Sequence, residues 1–208
     1  MGERTAVEVW TRGGGMWKEL IFTIYEDMKE PVAYLPIGLL AGGLFLLFWF
    51  FWDMGICRKG SGQGDGHKEG GYKASSRFLL VAYLAILINT VFFSREPGSR
   101  TGISLELFGT WGETVTSKGY VIENILLFIP YGMLVPGGIP FLKKGYACVL
   151  SAAFSSMMIE LVQLITGRGY CQLDDVVMNT IGATFGWCCW RVSAVLGGRL
   201  SRFSLPRK

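Results

Sequence analysis

Half of the 208 residues are hydrophobic, only 17% are charged, and the formal net charge at pH 7 is +4. The mean hydropathy is +0.37, and the apolar residues are gathered into long blocks, unlike the 3.6-residue repeat of a soluble amphipathic helix. These properties exclude a soluble globular domain and predict an all-α, polytopic membrane helix bundle.

The first part of the chain, residues 1–30, is predicted to hold a helix that lies in the membrane interface. Apolar side chains recur at helical spacing from Trp17 to Met28, and charged side chains fill most positions between them. No cleavable signal peptide is expected, because the first apolar run begins only at Val32 and lacks a small-residue cleavage site.

Two apolar blocks follow, separated by a glycine-rich segment. The first block covers residues 32–52 without a charge, and the second covers 78–94 with Asn89 inside it. A helix needs roughly 20 residues to cross the hydrocarbon core, so both are predicted to span the membrane. The segment 59–71 is predicted to be a flexible linker, and its His67 has no partner at metal-ligand spacing.

Three more spans are predicted in the second half of the chain. The block 121–135 contains Pro130 and is followed by Pro136, which favours a kinked or partly re-entrant course. The blocks 146–166 and 176–196 are longer and are bounded by polar turns. The sequence therefore predicts about five transmembrane helices.

The Lys and Arg content of the loops predicts how these spans are oriented. With an outside N-terminus, the inner regions hold eleven of these residues and the outer regions hold eight. This favours a C-terminus inside the cell and places the loop 167–175 outside. The basic tail, residues 197–208, would then meet anionic lipid headgroups of the bacterial cytoplasmic membrane.

Polar side chains interrupt the last three spans, where lipid tolerates few of them. A charge at the centre of a span costs roughly 2.5 to 3.5 kcal/mol on insertion scales, so such residues are functional candidates. Glu160 and Gln163 share one helix face, and Asp175 and Asn179 share another. Because the last two spans are antiparallel, we predict a polar pocket where these faces meet. The full polar set is Glu123, Asn124, Glu160, Gln163, Arg168, Asp174, Asp175 and Asn179.

Several of these residues also have a structural interpretation. Asp174 suits a helix N-cap as well as it suits a site, Arg168 suits an interfacial anchor, and the two asparagines suit interhelical hydrogen bonds. Glycines spaced four apart on apolar helices are interpreted as packing faces; these pairs are Gly38 with Gly42 and Gly182 with Gly186.

Four motifs follow one another between residues 121 and 190. They are Asn124-Ile-Leu-Leu-Phe128-Ile-Pro130-Tyr-Gly132, Glu160-Leu-Val-Gln163, Gly167-Arg168, and Asp174-Asp175 followed by Asn179-Thr-Ile-Gly182-Ala. Their order and spacing resemble the VanZ-like family of bacterial membrane proteins. The resemblance assigns residues 95–196 to a family core and marks Arg95 as a further polar site residue. It implies a cell-envelope protein whose namesake gives low-level resistance to teicoplanin, a glycopeptide antibiotic with a fatty acyl tail.

Three functions are compatible with these residues. In the preferred one, an outward-facing pocket binds an amphiphile, either a lipoglycopeptide antibiotic or a lipid-linked envelope precursor, among membrane lipids. In the second, the chain is a hydrolase or transferase acting on a lipid-linked envelope component. Glu160 would be its general base, and Asp174 and Asp175 would hold a divalent cation or position the substrate. In the third, the chain is a partner subunit whose polar residues serve assembly. No cofactor and no nucleic-acid partner is predicted.

Overall fold

The computed structural model describes residues 6–57, 66–98, 102–107, 109 and 114–203. This part of the chain is almost entirely helical. Helix α4 continues into a π-helical turn, Asn89–Phe93, and a 3₁₀ turn, Pro140–Lys143, follows α5. In chain order the elements are α1 (Ala6–Asp27), α2 (Lys29–Ala33), α3 (Leu35–Cys57), α4 (Gly66–Ile88), β1 (Ile103–Ser104), α5 (Val115–Gly138), α6 (Gly145–Thr166), β2 (Cys171–Gln172) and α7 (Leu173–Phe203).

Four helical stretches in the described residues are long and apolar enough to cross a membrane. They cover residues 15–52, 74–93, 115–138 and 145–166. The fifth predicted span lies in α7, whose 31 residues exceed the roughly 20 that a crossing requires. Its glycines, tryptophans and polar side chains make α7 less apolar than the other four stretches. The prediction of an all-α membrane bundle is confirmed.

The glycine-rich linker differs from its predicted bounds. Residues 58–65 lie outside the described residues, but α4 already begins at Gly66, within the predicted segment 59–71. The side chain of His67 lies outside the described part of the chain, as do residues 204–208 of the predicted basic tail.

Helix α5 continues through both of its prolines. It runs unbroken from Val115 to Gly138 with Pro130 and Pro136 inside it, so the re-entrant alternative is wrong. A proline removes one backbone donor without preventing the helix from continuing where neighbouring helices hold it. Among the contacts that hold α5, the hydroxyl of Tyr83 in α4 donates to the carbonyl of Leu127 at 2.9 Å.

Glycine allows α5 and α7 to pack with their backbones almost in contact. A Cβ on Gly182 would lie 2.1 Å from the carbonyl oxygen of Ile125, and one on Gly186 would lie 2.1 Å from that of Ile129. On the facing side, Gly132 is equally crowded by the backbone of α7. The interpretation of these glycines as a packing face is therefore confirmed.

Close packing at glycines also joins α3 to α4. A Cβ on Gly38 would lie 2.7 Å from the side chain of Ile86, and one on Gly42 would lie 2.8 Å from the ring of Phe78. Between these helices the guanidinium of Arg77 also lies 4.3 Å from the ring centroid of Trp49. Helix α3 thus packs closely on α4 at its glycines.

The end of α4, the start of α5, the end of α6 and the start of α7 come together at one end of the bundle. Helix α6 ends at Gly167, whose φ of 63° is in the left-handed region that favours glycine. The backbone N–H of Arg168 then donates to the carbonyl of Gln163 at 2.9 Å. Strand β2 follows and pairs in parallel with β1, so that Cys171 lies opposite Ile103.

Candidate functional site

A cavity of about 1010 Å³ lies at this end of the bundle. Its wall is built from the end of α4 and from α5, α6 and α7, and the junction of α1 and α2 closes one side. Six of the eight side chains predicted for ligand binding line it. They are Arg95, Asn124, Glu160, Gln163, Asp175 and Asn179.

Glu160 is the most enclosed carboxylate of the wall. Only 3% of the residue is exposed, and its Oε2 accepts the backbone N–H of Gln172 at 3.0 Å. That hydrogen bond joins the end of α6 to β2, so the short strand holds the carboxylate in place. A buried carboxylate anchored at one oxygen keeps its other oxygen available to the cavity.

The amide side chains of the wall connect the helices around it. Asn124 of α5 donates to Oδ1 of Asp175 in α7 at 2.7 Å. Gln163 of α6 donates to the carbonyl of Val91 in the π-helical turn at 3.2 Å. Asn124 therefore forms an interhelical hydrogen bond, as the structural interpretation of the asparagines predicted.

Asn179 forms a second link between helices deeper in the bundle. Its Nδ2 donates to the hydroxyl of Ser156 at 2.8 Å, which joins α7 to α6. Only 4% of Asn179 is exposed, yet it lines the cavity. This residue is thus both structural and part of the wall.

Two predicted site residues do not line the cavity. The guanidinium of Arg168 donates to the carbonyl of Phe92 and lies 5.6 Å from the ring centroid of Phe93. Asp174 is buried and is not part of the wall that Asp175 lines. Consecutive side chains on a helix point about 100° apart, so two adjacent acids rarely face the same space. Arg95 provides the cation on the described wall instead.

The N-terminal helix contributes side chains that the sequence did not place in the site. Leu20 of α1 is buried, and Thr23 lies against Gly119 of α5. This contact brings the carboxyl group of Asp27 within hydrogen-bonding reach of Glu123. Glu123 was recognised as a polar residue in a span, but no local pattern relates it to Asp27, which lies 96 positions earlier in the chain.

Carboxylates dominate the electrostatics of the cavity. The guanidinium of Arg95 interacts electrostatically with Glu123, Glu160 and Asp175, but it forms no ion pair within 4 Å of them in the described part of the chain. Within the same residues, no three His, Cys, Asp or Glu side chains converge as a metal-binding group.

The cysteine nearest to the carboxylates is unsuited to nucleophilic chemistry. Burial raises the pKa of the Cys171 thiol, and the negative charges of Glu160 and Asp175 raise it further. The thiolate is the reactive form of cysteine, so a raised pKa lowers its population at neutral pH. Cys171 is therefore a poor nucleophile at neutral pH.

The sequence profile of the VanZ/LLP1 family matches residues 79–195, more than half of the chain. The chain belongs to the VanZ/LLP1 family. It is also 31% identical over 121 residues to Protein VanZ of Enterococcus faecium, a match that covers 55% of this chain and 72% of that protein. No solved structure matches the chain. The VanZ/LLP1 region contains all six predicted residues that line the cavity, whereas Asp27 lies before it.

Proposed function

We propose that this VanZ-type protein confers low-level resistance to teicoplanin-like lipoglycopeptides at the bacterial cell envelope. The cavity faces outward and binds the polar head of an amphiphile at the outer leaflet, while the apolar helices flank its tail. The observation that supports this most is the placement of six predicted polar residues, from four separate elements, on one cavity wall. Polar groups are costly in a membrane span unless they serve a purpose there.

Exposed apolar surface on a helix that also carries two cavity residues supports binding of a tailed molecule. On α6, the helix that contributes Glu160 and Gln163, the neighbouring side chains Leu161 and Ile165 are 44% and 75% exposed. An acyl chain lying along this surface would remain in contact with lipid while its head entered the cavity. The site would therefore combine hydrophobic contact with a few polar contacts, as ligand sites commonly do.

A binding experiment with tailed and tailless glycopeptides tests this proposal. Purified protein in phosphatidylcholine nanodiscs is titrated with teicoplanin and with vancomycin, and empty discs are subtracted. We expect teicoplanin to bind at least about tenfold more tightly. The variant Glu160→Gln should weaken teicoplanin binding, because it replaces a carboxyl group on the cavity wall with an amide. Glu19→Gln on the exposed side of α1 is the matched control and should bind like the wild type.

Equal affinity for the two glycopeptides would contradict the proposal. So would teicoplanin binding that is tail-dependent but unchanged in Glu160→Gln, because the cavity would then have no part in recognition. Both variants must give the same yield of monodisperse protein for this comparison.

The same cavity supports a second candidate, an enzyme acting on a lipid-linked envelope component. Glu160 and Asp175 both line it, and a pair of carboxyl groups can serve as general acid and general base. Asp174 lies off the wall, so it has no direct part in this version. Purified protein that leaves candidate lipid-linked substrates unchanged, with and without Mg²⁺, would rule the enzyme out.

A further inference from the structure

Carboxyl groups and amide oxygens on the cavity wall can accept hydrogen bonds from a ligand. The three amide side chains on the wall each use the NH₂ group in a hydrogen bond to the protein, at 2.7, 3.2 and 2.8 Å. Their oxygen atoms and the carboxyl groups remain as acceptors, while the Thr90 hydroxyl and the Arg95 guanidinium remain as donors. Because the wall has seven carboxyl groups, a ligand that donates hydrogen bonds finds more partners there than one that accepts them.

Three buried side-chain oxygens on the wall have no hydrogen-bond partner among the described residues; one is the hydroxyl of Thr90, and the other two are acceptor oxygens. Oδ1 of Asn179 is one of them, in a residue that is only 4% exposed and lines the cavity. Oε1 of Glu123 is the other, and Glu123 lines the same cavity. A buried polar atom without a partner is unfavourable, so these two atoms indicate where a donor from a ligand would bind.

Carboxyl groups far outnumber cationic groups on the wall. Among the described residues that line the cavity are seven carboxylates and one guanidinium, that of Arg95. The carboxyl groups of Asp27 and Glu123 also lie within hydrogen-bonding reach of each other, so a cation placed between them would interact favourably with both. The seven are Glu26, Asp27, Glu30, Glu96, Glu123, Glu160 and Asp175.

We propose that the cavity binds the protonated primary amine of an amphiphile, with Asp27 and Glu123 as acceptors. An ammonium group has three N–H donors and no acceptor, which matches this wall. Arg95 remains available for an anionic group beside the amine. The inference rests on the proposed function, because it names the ligand class of the same cavity. It also gives α1, which lies before the VanZ/LLP1 region, a share in ligand recognition.

Matched pairs of amphiphiles that differ only at the amine test the inference. Protein in phosphatidylcholine nanodiscs is titrated with dodecylamine and N-dodecylacetamide, and then with lysophosphatidylethanolamine and its N-acetylated form. We expect each free amine to bind at least about tenfold more tightly than its acetylated partner. Tighter binding of lysophosphatidylethanolamine than of dodecylamine would support a phospholipid headgroup as the source of the amine. Comparable binding would support any amine-bearing amphiphile, an antibiotic included.

Variants test whether the cavity residues cause the preference for the free amine. Asp27→Asn and Glu123→Gln should each reduce the preference for the amine at least about fivefold, whereas Glu19→Gln on α1 should leave it unchanged. Equal binding of dodecylamine and N-dodecylacetamide would overturn the inference, as would full preference retained in both cavity variants. If a variant fails to give monodisperse protein, the comparison of the wild-type titrations still decides.

The outcomes separate this inference from the function on which it rests. Tail-dependent teicoplanin binding without any amine preference would overturn the inference and leave the proposed function standing. Amine preference without teicoplanin binding would overturn the proposed function and leave the cavity as an amine site.

Discussion

Asn124 and Asp175 form the hydrogen bond that joins the two central helices at the cavity. The distance from Nδ2 to Oδ1 is 2.7 Å, and the acceptor is a carboxylate. Hydrogen bonds to charged groups are stronger than those between neutral groups. The pair therefore belongs both to the fold and to the site, and its strength can be measured.

A double-mutant cycle with Asn124→Ala and Asp175→Ala should give a coupling energy of about 1 to 2 kcal/mol. This exceeds the average of about 0.6 kcal/mol for interhelical hydrogen bonds in membrane proteins, because one partner is ionisable. The free energy of unfolding is measured in detergent by SDS titration of each variant. Additivity within about 0.5 kcal/mol would contradict the predicted link.

Residue spacing predicted those parts of the site that lie on one helix face. Glu160 with Gln163 and Asp175 with Asn179 line the cavity together, as the three- and four-residue spacing required. The same spacing rule could not predict that Asp174 and Arg168 lie off the cavity wall. Each lies beside a helix end, where the direction of a side chain depends on how the chain turns. Arg168 follows the left-handed residue Gly167 and is directed to the π-helical turn of α4.

At the scale of helices, the contact between α5 and α7 depends on the absence of side chains. The Cβ of an alanine at position 186 would lie 2.1 Å from the carbonyl oxygen of Ile129, and the atom that it meets is backbone. Backbone cannot move aside as a flexible side chain can. Separating the two helices would also disturb the hydrogen bond between Asn124 and Asp175.

Gly186→Ala should therefore lower the free energy of unfolding by about 3 kcal/mol or more, at the upper end of the usual cost of overpacking. Thermal unfolding of the purified protein in detergent is the measurement. Gly43→Ala in α3 is the control, because a Cβ there meets nothing within 4 Å, and its stability should equal or exceed that of the wild type. Equal melting temperatures for the two variants would contradict the close packing of α5 and α7.

The apolar blocks predicted which segments are helices but not which helices pack together. Each predicted span lies in a helix, and the glycine spacing correctly marked a packing face on α7, although it did not identify α5 as the partner. The docking of α1 on α5 had no such signal, because the buried Leu20 lies among the apolar side chains Trp17, Ile21 and Tyr25, which are exposed. An amphipathic helix has the same pattern whether its apolar residues meet lipid or protein.

At the scale of the whole molecule, the loop charges predict an N-terminus outside the cell and a C-terminus inside. The cavity then faces outward, because it lies beside the end of α6 and the start of α7. The loop 167–172 that connects them is on the outside in this orientation. Cysteines introduced into a cysteine-free background test this arrangement. Glu19→Cys should react with a membrane-impermeant maleimide in intact cells, whereas Lys144→Cys should react only after permeabilisation. The reverse pattern would place the cavity on the cytoplasmic side and exclude capture of a ligand at the outer leaflet.

The central claim is that the carboxylates of the cavity act on a lipoglycopeptide, and antibiotic susceptibility tests it most directly. A Gram-positive host expresses the wild type, Glu160→Gln or the control Glu19→Gln at matched membrane levels, and teicoplanin and vancomycin susceptibility are measured for each. The account predicts a rise in tolerance to teicoplanin alone that is present in the wild type and in Glu19→Gln but lost in Glu160→Gln. No rise with correctly inserted wild type, or an equal rise with Glu160→Gln, would contradict it.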